Sequence, residues 1–183
     1  MNRTIFTELS IFLLLIVSKL SSTFINISPF LAVIIIGSYF IHNKYRLLLM
    51  IFAAQLFSDL VYGLHVSNLS IYLSYFIIVL VIYRNEVIYS LSKSMLHGLQ
   101  ANIIFFIVTN FGHYLAYNSV YTTTLLAETY SRGLLFGINL LLSTIVFIII
   151  FHALLAVSRK QLVKSRSTRG EPRTWVDHRF YIQ

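Results

Sequence analysis

Asp59 is a carboxylate inside an otherwise apolar run of the chain, and it shares a helical face with two other polar side chains. Gln55 precedes it by four positions and Tyr62 follows it by three, the spacings that place side chains on one side of a helix. An aspartate at the centre of a membrane helix costs roughly 3 kcal/mol, so such an acid is by default a functional-site hypothesis. We predict that Asp59 serves a bound molecule as a charge partner or hydrogen-bond acceptor.

A second polar stripe contains Thr109 and His113, four positions apart, with Asn110 beside them. Asn110 would bind a ligand through both the oxygen and the nitrogen of its amide. His113 and His65 would donate hydrogen bonds from their rings or act as pH-sensitive groups. The predicted substrate-binding residues are Asp59, His65, Asn110, His113, Gln55, Tyr62 and Thr109. The alternative is that these side chains form hydrogen bonds between helices and bind no ligand.

Other kinds of chemistry find little support in the residue patterns. The chain has no cysteine, which excludes thiol catalysis and disulfides. It contains no P-loop, no dinucleotide fingerprint, no hydrolase elbow and no histidine pair at metal-ligand spacing. We therefore predict no enzyme activity, no cofactor and no metal, and a membrane enzyme remains only a weaker alternative.

The composition indicates the membrane helices that would position these residues. Hydrophobic residues make up 57% of the 183 residues and charged residues 11%, against about 25% charged in soluble domains. A membrane span needs about 20 apolar residues, so the sequence predicts an all-α integral membrane bundle of six transmembrane helices. The spans are predicted at about 5–20, 28–42, 46–64, 67–83, 96–117 and 134–157. An interfacial lead-in is predicted at 86–93, and a short re-entrant or interfacial helix at 121–133.

The basic residues predict the orientation of these spans. Lysine and arginine near span ends are retained on the cytoplasmic side. With six spans and both termini cytoplasmic, only Lys19 and Arg132 of the fourteen basic residues lie outside. The sequence thus predicts a multi-pass protein of the cell inner membrane, with residues 1–158 as the membrane domain and 159–183 as a basic cytoplasmic tail. Retention and attraction to anionic lipid explain the net charge of +8, so the lipid bilayer is a partner and nucleic acid is not.

With this orientation, the polar side chains concentrate in the outer half of the bundle. Asp59, His113 and the mouth of the second span at Asn26 and Ser28 all lie toward the outer ends of their segments. The inner half is largely Ile, Leu, Val and Phe. A transmembrane ion path needs polar groups through the full depth, whereas a pocket needs them at one depth. The pattern therefore favours a solute pocket that is open to the outside.

Several short motifs support a family resemblance. They are Asn26-Ile-Ser-Pro-Phe30, Gly37-Ser-Tyr-Phe40, Ser58-Asp59-Leu with Gly63-Leu-His65, and Thr109-Asn-Phe-Gly112. In this order they resemble a bacterial family of uncharacterised transport proteins, itself similar to the substrate-binding S components of energy-coupling factor (ECF) transporters. The resemblance implies a six-span fold, an outward-facing pocket for a small-molecule substrate, a transmembrane coupling subunit and cytosolic ATPases.

Together these features predict a membrane transport protein, a substrate-binding subunit that captures a small solute from the outer side. The alternative is a non-transporting multi-pass assembly or scaffold subunit. In that case the polar residues would tie helices together, and the basic tail would be the working surface.

Overall fold

The computed structural model describes residues 3–21, 27–84 and 89–168, and within these ranges every regular element is an α-helix. The helices are α1 (Arg3–Leu20), α2 (Phe30–Ser38), α3 (Lys44–Tyr62), α4 (Asn68–Arg84), α5 (Leu91–Tyr117) and α6 (Thr123–Thr168). The predicted all-α class is therefore confirmed. By length and composition, α3, α5 and the Thr123–Ser158 part of α6 can each cross a membrane, and α4 is a shorter apolar helix.

The chain divides into two compact units, Met1–Ile148 and Ile149–Gln183. The first unit holds α1 to α5 and the beginning of α6. In the second unit, the residues that the structure describes are helical as far as Thr168. Residues 169–183, which make up most of the predicted basic tail, lie outside the described part, and the domain boundary between 158 and 159 stays a prediction.

Local capping residues determine where several helices begin. The Asn43 side-chain oxygen accepts hydrogen bonds from the N–H groups of Tyr45 (2.9 Å) and Arg46 (3.3 Å), which fixes the start of α3. The Ser28 hydroxyl accepts the N–H of Phe30 at 3.2 Å, directly before α2. Because such signals are local, the predicted starts of the second to fourth spans lie within two residues of the helices or their caps.

The predicted second span is wrong as a continuous helix, because α2 ends at Ser38. Its nine residues are about 14 Å long, less than half of a bilayer core. The N–H groups of Tyr39 and Ile41 turn back onto helix carbonyls, and the Tyr83 hydroxyl binds the Ile41 carbonyl. All nine residues of α2 are buried, against α1, α3, α4 and α5. Such irregular backbone is compatible with a membrane where protein covers it.

The separate helix predicted at 121–133 is also wrong, because residues 123–133 form the beginning of the continuous 46-residue α6. No proline occurs between 123 and 168, and a lone glycine such as Gly133 costs a helix only about 1 kcal/mol. The bond from the Tyr130 hydroxyl to the Ile107 carbonyl (2.8 Å) joins this first part of α6 to α5, and the exposed Glu128–Arg132 ion pair lies within α6 itself. The predicted lead-in at 86–93 has residues 86–88 outside the described part, and α5 begins at Leu91.

Two glycines of α6 allow it to approach α5 closely. Gly133 lies against the amide of Asn110, and a Cβ atom at Gly137 would lie 2.7 Å from Cδ2 of Phe106. These pairs step in opposite directions along the two helices, so α5 and α6 pack antiparallel. Small residues one turn apart are a common way for membrane helices to pack closely.

Candidate functional site

The buried group around Asp59 links α3 to α4. The Asp59 carboxylate is only 4% exposed, and it accepts hydrogen bonds from Gln55 Nε2 at 2.6 Å and from the Tyr72 hydroxyl at 2.7 Å. The Gln55 bond follows from the i,i+4 spacing, whereas Tyr72 comes from the neighbouring helix. Hydrogen bonds of this kind satisfy a buried carboxylate that would otherwise be costly.

Lys19, in the last turn of α1, adds an opposite charge to this region. Its ammonium lies within electrostatic reach of Asp59 and donates a hydrogen bond to the Tyr75 hydroxyl at 3.1 Å. It also lies 5.1 Å from the ring centre of Phe30 and 5.6 Å from that of Tyr75. We define Asp59, Gln55, Tyr72, Lys19 and Tyr75 as the Asp59 cluster, which joins α1, α3 and α4.

A groove between α5 and α6, which also reaches the beginning of α4, contains the second polar stripe. Its deep lobe, named for its position beside Phe105 in the middle of α5, has a volume of about 240 Å³. Its rim lobe, beside Tyr117 at the end of α5, has a volume of about 540 Å³. Both lobes are lined by Asn110, His113, Gly133 and Phe136. We call the two lobes together the α5–α6 groove. Ligand pockets have volumes of about 300–1,000 Å³, so the groove is large enough for a small solute.

The walls of the groove combine aromatic rings with hydrogen-bonding groups. Its aromatic side chains are Phe105, Phe106, Phe136 and Tyr117, and its polar ones include Ser67, Ser70, Thr109, Asn118 and Thr129. The rim lobe also carries Glu128 and Arg132, an exposed ion pair. This lining suits a ligand with an apolar body and a few polar groups.

Within the groove, Asn110 and Thr109 have part of their hydrogen-bonding capacity engaged by the backbone. Asn110 Nδ2 donates to the Phe106 carbonyl, and the Thr109 hydroxyl to the Phe105 carbonyl, both at 2.7 Å. The exposed His113 ring lies 4.6 Å from the ring of Tyr117. The imidazole of His113 is therefore well placed to meet a solute that enters the groove.

Five of the seven predicted site residues lie either in the Asp59 cluster or in the α5–α6 groove. The other two, Tyr62 and His65, belong to neither. Tyr62 is about half exposed and donates its hydroxyl to the Leu20 carbonyl at 2.9 Å, which ties α3 to the end of α1. His65 is exposed in the connection between α3 and α4. Asn26, predicted at the mouth of the second span, lies outside the described residues.

The sequence interpretation missed the residues that neighbouring helices contribute to the Asp59 cluster. The sequence places Lys19 at the outer end of the first span and predicts no role for Tyr72 or Tyr75. One rule could have identified Lys19: charged side chains inside a membrane usually pair with each other, so an acid on one span indicates a basic residue near the same depth on another span.

The end of the bundle that the sequence predicts to be cytoplasmic is more polar than the sequence pattern indicated. The Tyr39 and Ser94 hydroxyls are 2.9 Å apart, and the buried His97 ring lies 3.3 Å from the Gln100 side-chain oxygen. These contacts connect the end of α2 to α5 and fix residues within α5. They are interhelical and local hydrogen bonds, and these residues line neither lobe of the α5–α6 groove.

Two buried acceptors in the described part of the chain have no hydrogen-bond donor, namely Gln55 Oε1 and Asn102 Oδ1. In the same part, no three His, Asp or Glu side chains are grouped so that they could hold a metal ion.

A family model matches nearly the whole chain. It is described as a family of unknown function (DUF6580), and it matches residues 1–167. No curated protein matches the chain, and no solved structure matches it. The matched region includes both the Asp59 cluster and the α5–α6 groove.

Proposed function

The chain belongs to the family of unknown function DUF6580, and we propose that it is a substrate-binding membrane protein that captures a small solute from the outer side of the bilayer. The observation that carries this proposal is the α5–α6 groove. It is open, it is lined by aromatic rings, and Asn110 and His113 line both of its lobes. A concave, mostly apolar site with a few convergent polar groups is the usual form of a small-molecule site.

The proposed topology has six membrane segments, with both termini on the cytoplasmic side of the inner membrane. The distribution of basic residues supports it, as does the apolar character of α3, α5 and α6. The second segment then consists of the buried half-length α2 and the non-helical residues 39–43. In this orientation the groove opens outward, because α5 ends and α6 begins at the outer surface.

Cysteine labelling tests this topology against a background that has no native cysteine. We expect a Ser119→Cys variant to react with a membrane-impermeant maleimide in intact cells, because Ser119 connects α5 to α6 on the outer side. A His42→Cys variant should react only after the membrane is permeabilised. The opposite pattern of labelling would contradict the proposed orientation.

Capture of a solute is tested by native mass spectrometry on protein purified in mild detergent. We expect the wild-type protein to retain a small molecule and His113→Ala to retain about tenfold less, because a hydrogen bond from the imidazole to the solute is lost. His42→Ala is the matched control, since His42 is exposed and does not line the groove. A wild-type protein that retains nothing, or equal retention in both variants, would count against solute capture.

Because the sequence resembles S components, we propose that a transmembrane coupling subunit and cytosolic ATPases supply the energy for transport. The chain itself has no P-loop for ATP binding. Subunits of these two kinds should then appear in the same native mass spectra, when the protein is purified from cells at its natural level.

A scaffold or assembly subunit is the second candidate, and one observation favours it. Both oxygens of the Asp59 carboxylate already accept hydrogen bonds from Gln55 and Tyr72 within the chain. Asp59 would then hold helices together and contact no ligand. This candidate predicts normal function in His113→Ala and loss of function when the basic segment 159–183 is removed.

A further inference from the structure

Tyr75 is the residue that connects the Asp59 cluster to the α5–α6 groove. It is 2% exposed, and its hydroxyl accepts a hydrogen bond from Lys19 Nζ at 3.1 Å. Its ring stacks on Phe105 with 5.6 Å between the ring centres and 27° between the planes. Since Phe105 lines the deep lobe, one tyrosine touches the cluster with its hydroxyl and the wall of the groove with its ring.

Lys19 is itself held in position by charge and by aromatic rings. Its ammonium is attracted by the Asp59 carboxylate and lies near the rings of Phe30 and Tyr75. Aromatic faces attract cations, and an ammonium in a membrane needs a counter-charge nearby. Asp59 is in turn fixed by Gln55 and Tyr72. The position of Lys19 Nζ is therefore defined by groups from α2, α3 and α4.

We infer that Lys19 is a positioning residue for the groove: it holds Tyr75 by the hydroxyl, and Tyr75 holds the Phe105 ring as the groove wall. Asp59 then acts on the groove indirectly, as the counter-charge that keeps Lys19 in place. The inference rests on the proposed function for the role of the groove, but the coupling between Lys19 and the Phe105 wall can be measured without any solute.

A cysteine reporter in the groove measures this coupling. Thr109→Cys places a thiol in the deep lobe, one helical turn from Phe105, in a protein with no native cysteine. We expect Tyr75→Phe, which removes only the hydroxyl, to raise the maleimide labelling rate of this thiol about fivefold. A change of this size corresponds to the free energy of one hydrogen bond. Lys19→Met should raise the rate at least as much, because it removes the donor and the charge together.

Two controls separate positioning from a general loss of structure. Tyr83→Phe removes a hydroxyl from the same helix, but that hydroxyl binds the Ile41 carbonyl at the cytoplasmic end. It should leave the labelling of the groove thiol unchanged. A reporter at the exposed Ser119 should label at the same rate in every variant.

An unchanged labelling rate in Tyr75→Phe would overturn the inference, and so would an equal rise in Tyr83→Phe. If Lys19→Met does not fold, the comparison of Tyr75→Phe with Tyr83→Phe decides the question by itself. Retention of a small molecule in the native mass spectra is measured separately. The proposed function can therefore fail while the coupling holds, and the coupling can fail while solute capture holds.

Discussion

Asp59→Asn and Lys19→Met are each expected to lower the free energy of unfolding by about 2 kcal/mol, because each breaks hydrogen bonds of a buried polar cluster and leaves the opposite charge without compensation. In Asp59→Asn the ammonium of Lys19 loses its counter-charge, and in Lys19→Met the carboxylate does. The double variant should be destabilised by clearly less than the sum of the single effects, because it leaves no unpaired charge. Thermal unfolding in detergent measures all three variants.

The chain offers a matched control for this double-mutant cycle. Glu8 and Arg46 also pair α1 with α3, at 3.3 Å, but the Arg46 side chain is 64% exposed. An exposed pair contributes about 0–1 kcal/mol, so Glu8→Gln should have a small effect. Strictly additive effects of Lys19→Met and Asp59→Asn would show that the two charges do not interact. A loss in Glu8→Gln as large as that in Asp59→Asn would show that burial is not the cause.

The limits of the sequence interpretation are clearest in the Asp59 cluster. The bond between Gln55 and Asp59 was predictable, because it depends only on the spacing within one helix. Lys19 and Tyr72 come from other helices, and whether they face Asp59 depends on how each helix is rotated about its own axis. A topology prediction gives the depth of a residue in the membrane but not this rotation. A similar predicted depth therefore did not mean a shared cavity: His113 lines the α5–α6 groove, and Asp59 lies in the buried cluster instead.

Helix bounds show the same distinction between local and tertiary causes. The start of α3 follows from the Asn43 cap, and α4 begins at Asn68, one residue after the predicted start of the fourth span at 67. The early end of α2 depends on contacts with Tyr83, which lies far away in the sequence. The helical state of 123–133 depends in part on the Tyr130 contact with α5. Polarity alone indicated a separate helix there, because contacts between helices cannot be read from composition.

The second large effect is expected at Gly112, where α5 packs closely against α4. A Cβ atom added at Gly112 would overlap Cβ and Oγ of Ser70, and the Cα of Ser70 lies 3.6 Å away. The Ser70 hydroxyl is bonded to the Ser67 carbonyl at 2.6 Å, and its Cβ cannot move without the backbone. We expect Gly112→Ala to lower the free energy of unfolding by about 2 kcal/mol, the usual cost of overpacking. Helix propensity alone predicts the opposite, a gain of about 1 kcal/mol.

Thermal unfolding of two further variants separates overpacking from other causes. Ser70→Gly removes the atoms that the new Cβ would meet, so the double variant with Gly112→Ala should be more stable than Gly112→Ala alone. At Gly133 the new Cβ would meet only the terminal amide of Asn110, which can rotate, so Gly133→Ala should cost less. A stabilised Gly112→Ala would mean that α4 can move away from α5 freely. Ser70 of α4 lines the deep lobe. If α4 can move away from α5 freely, the distance between α4 and α5 does not set the width of the groove.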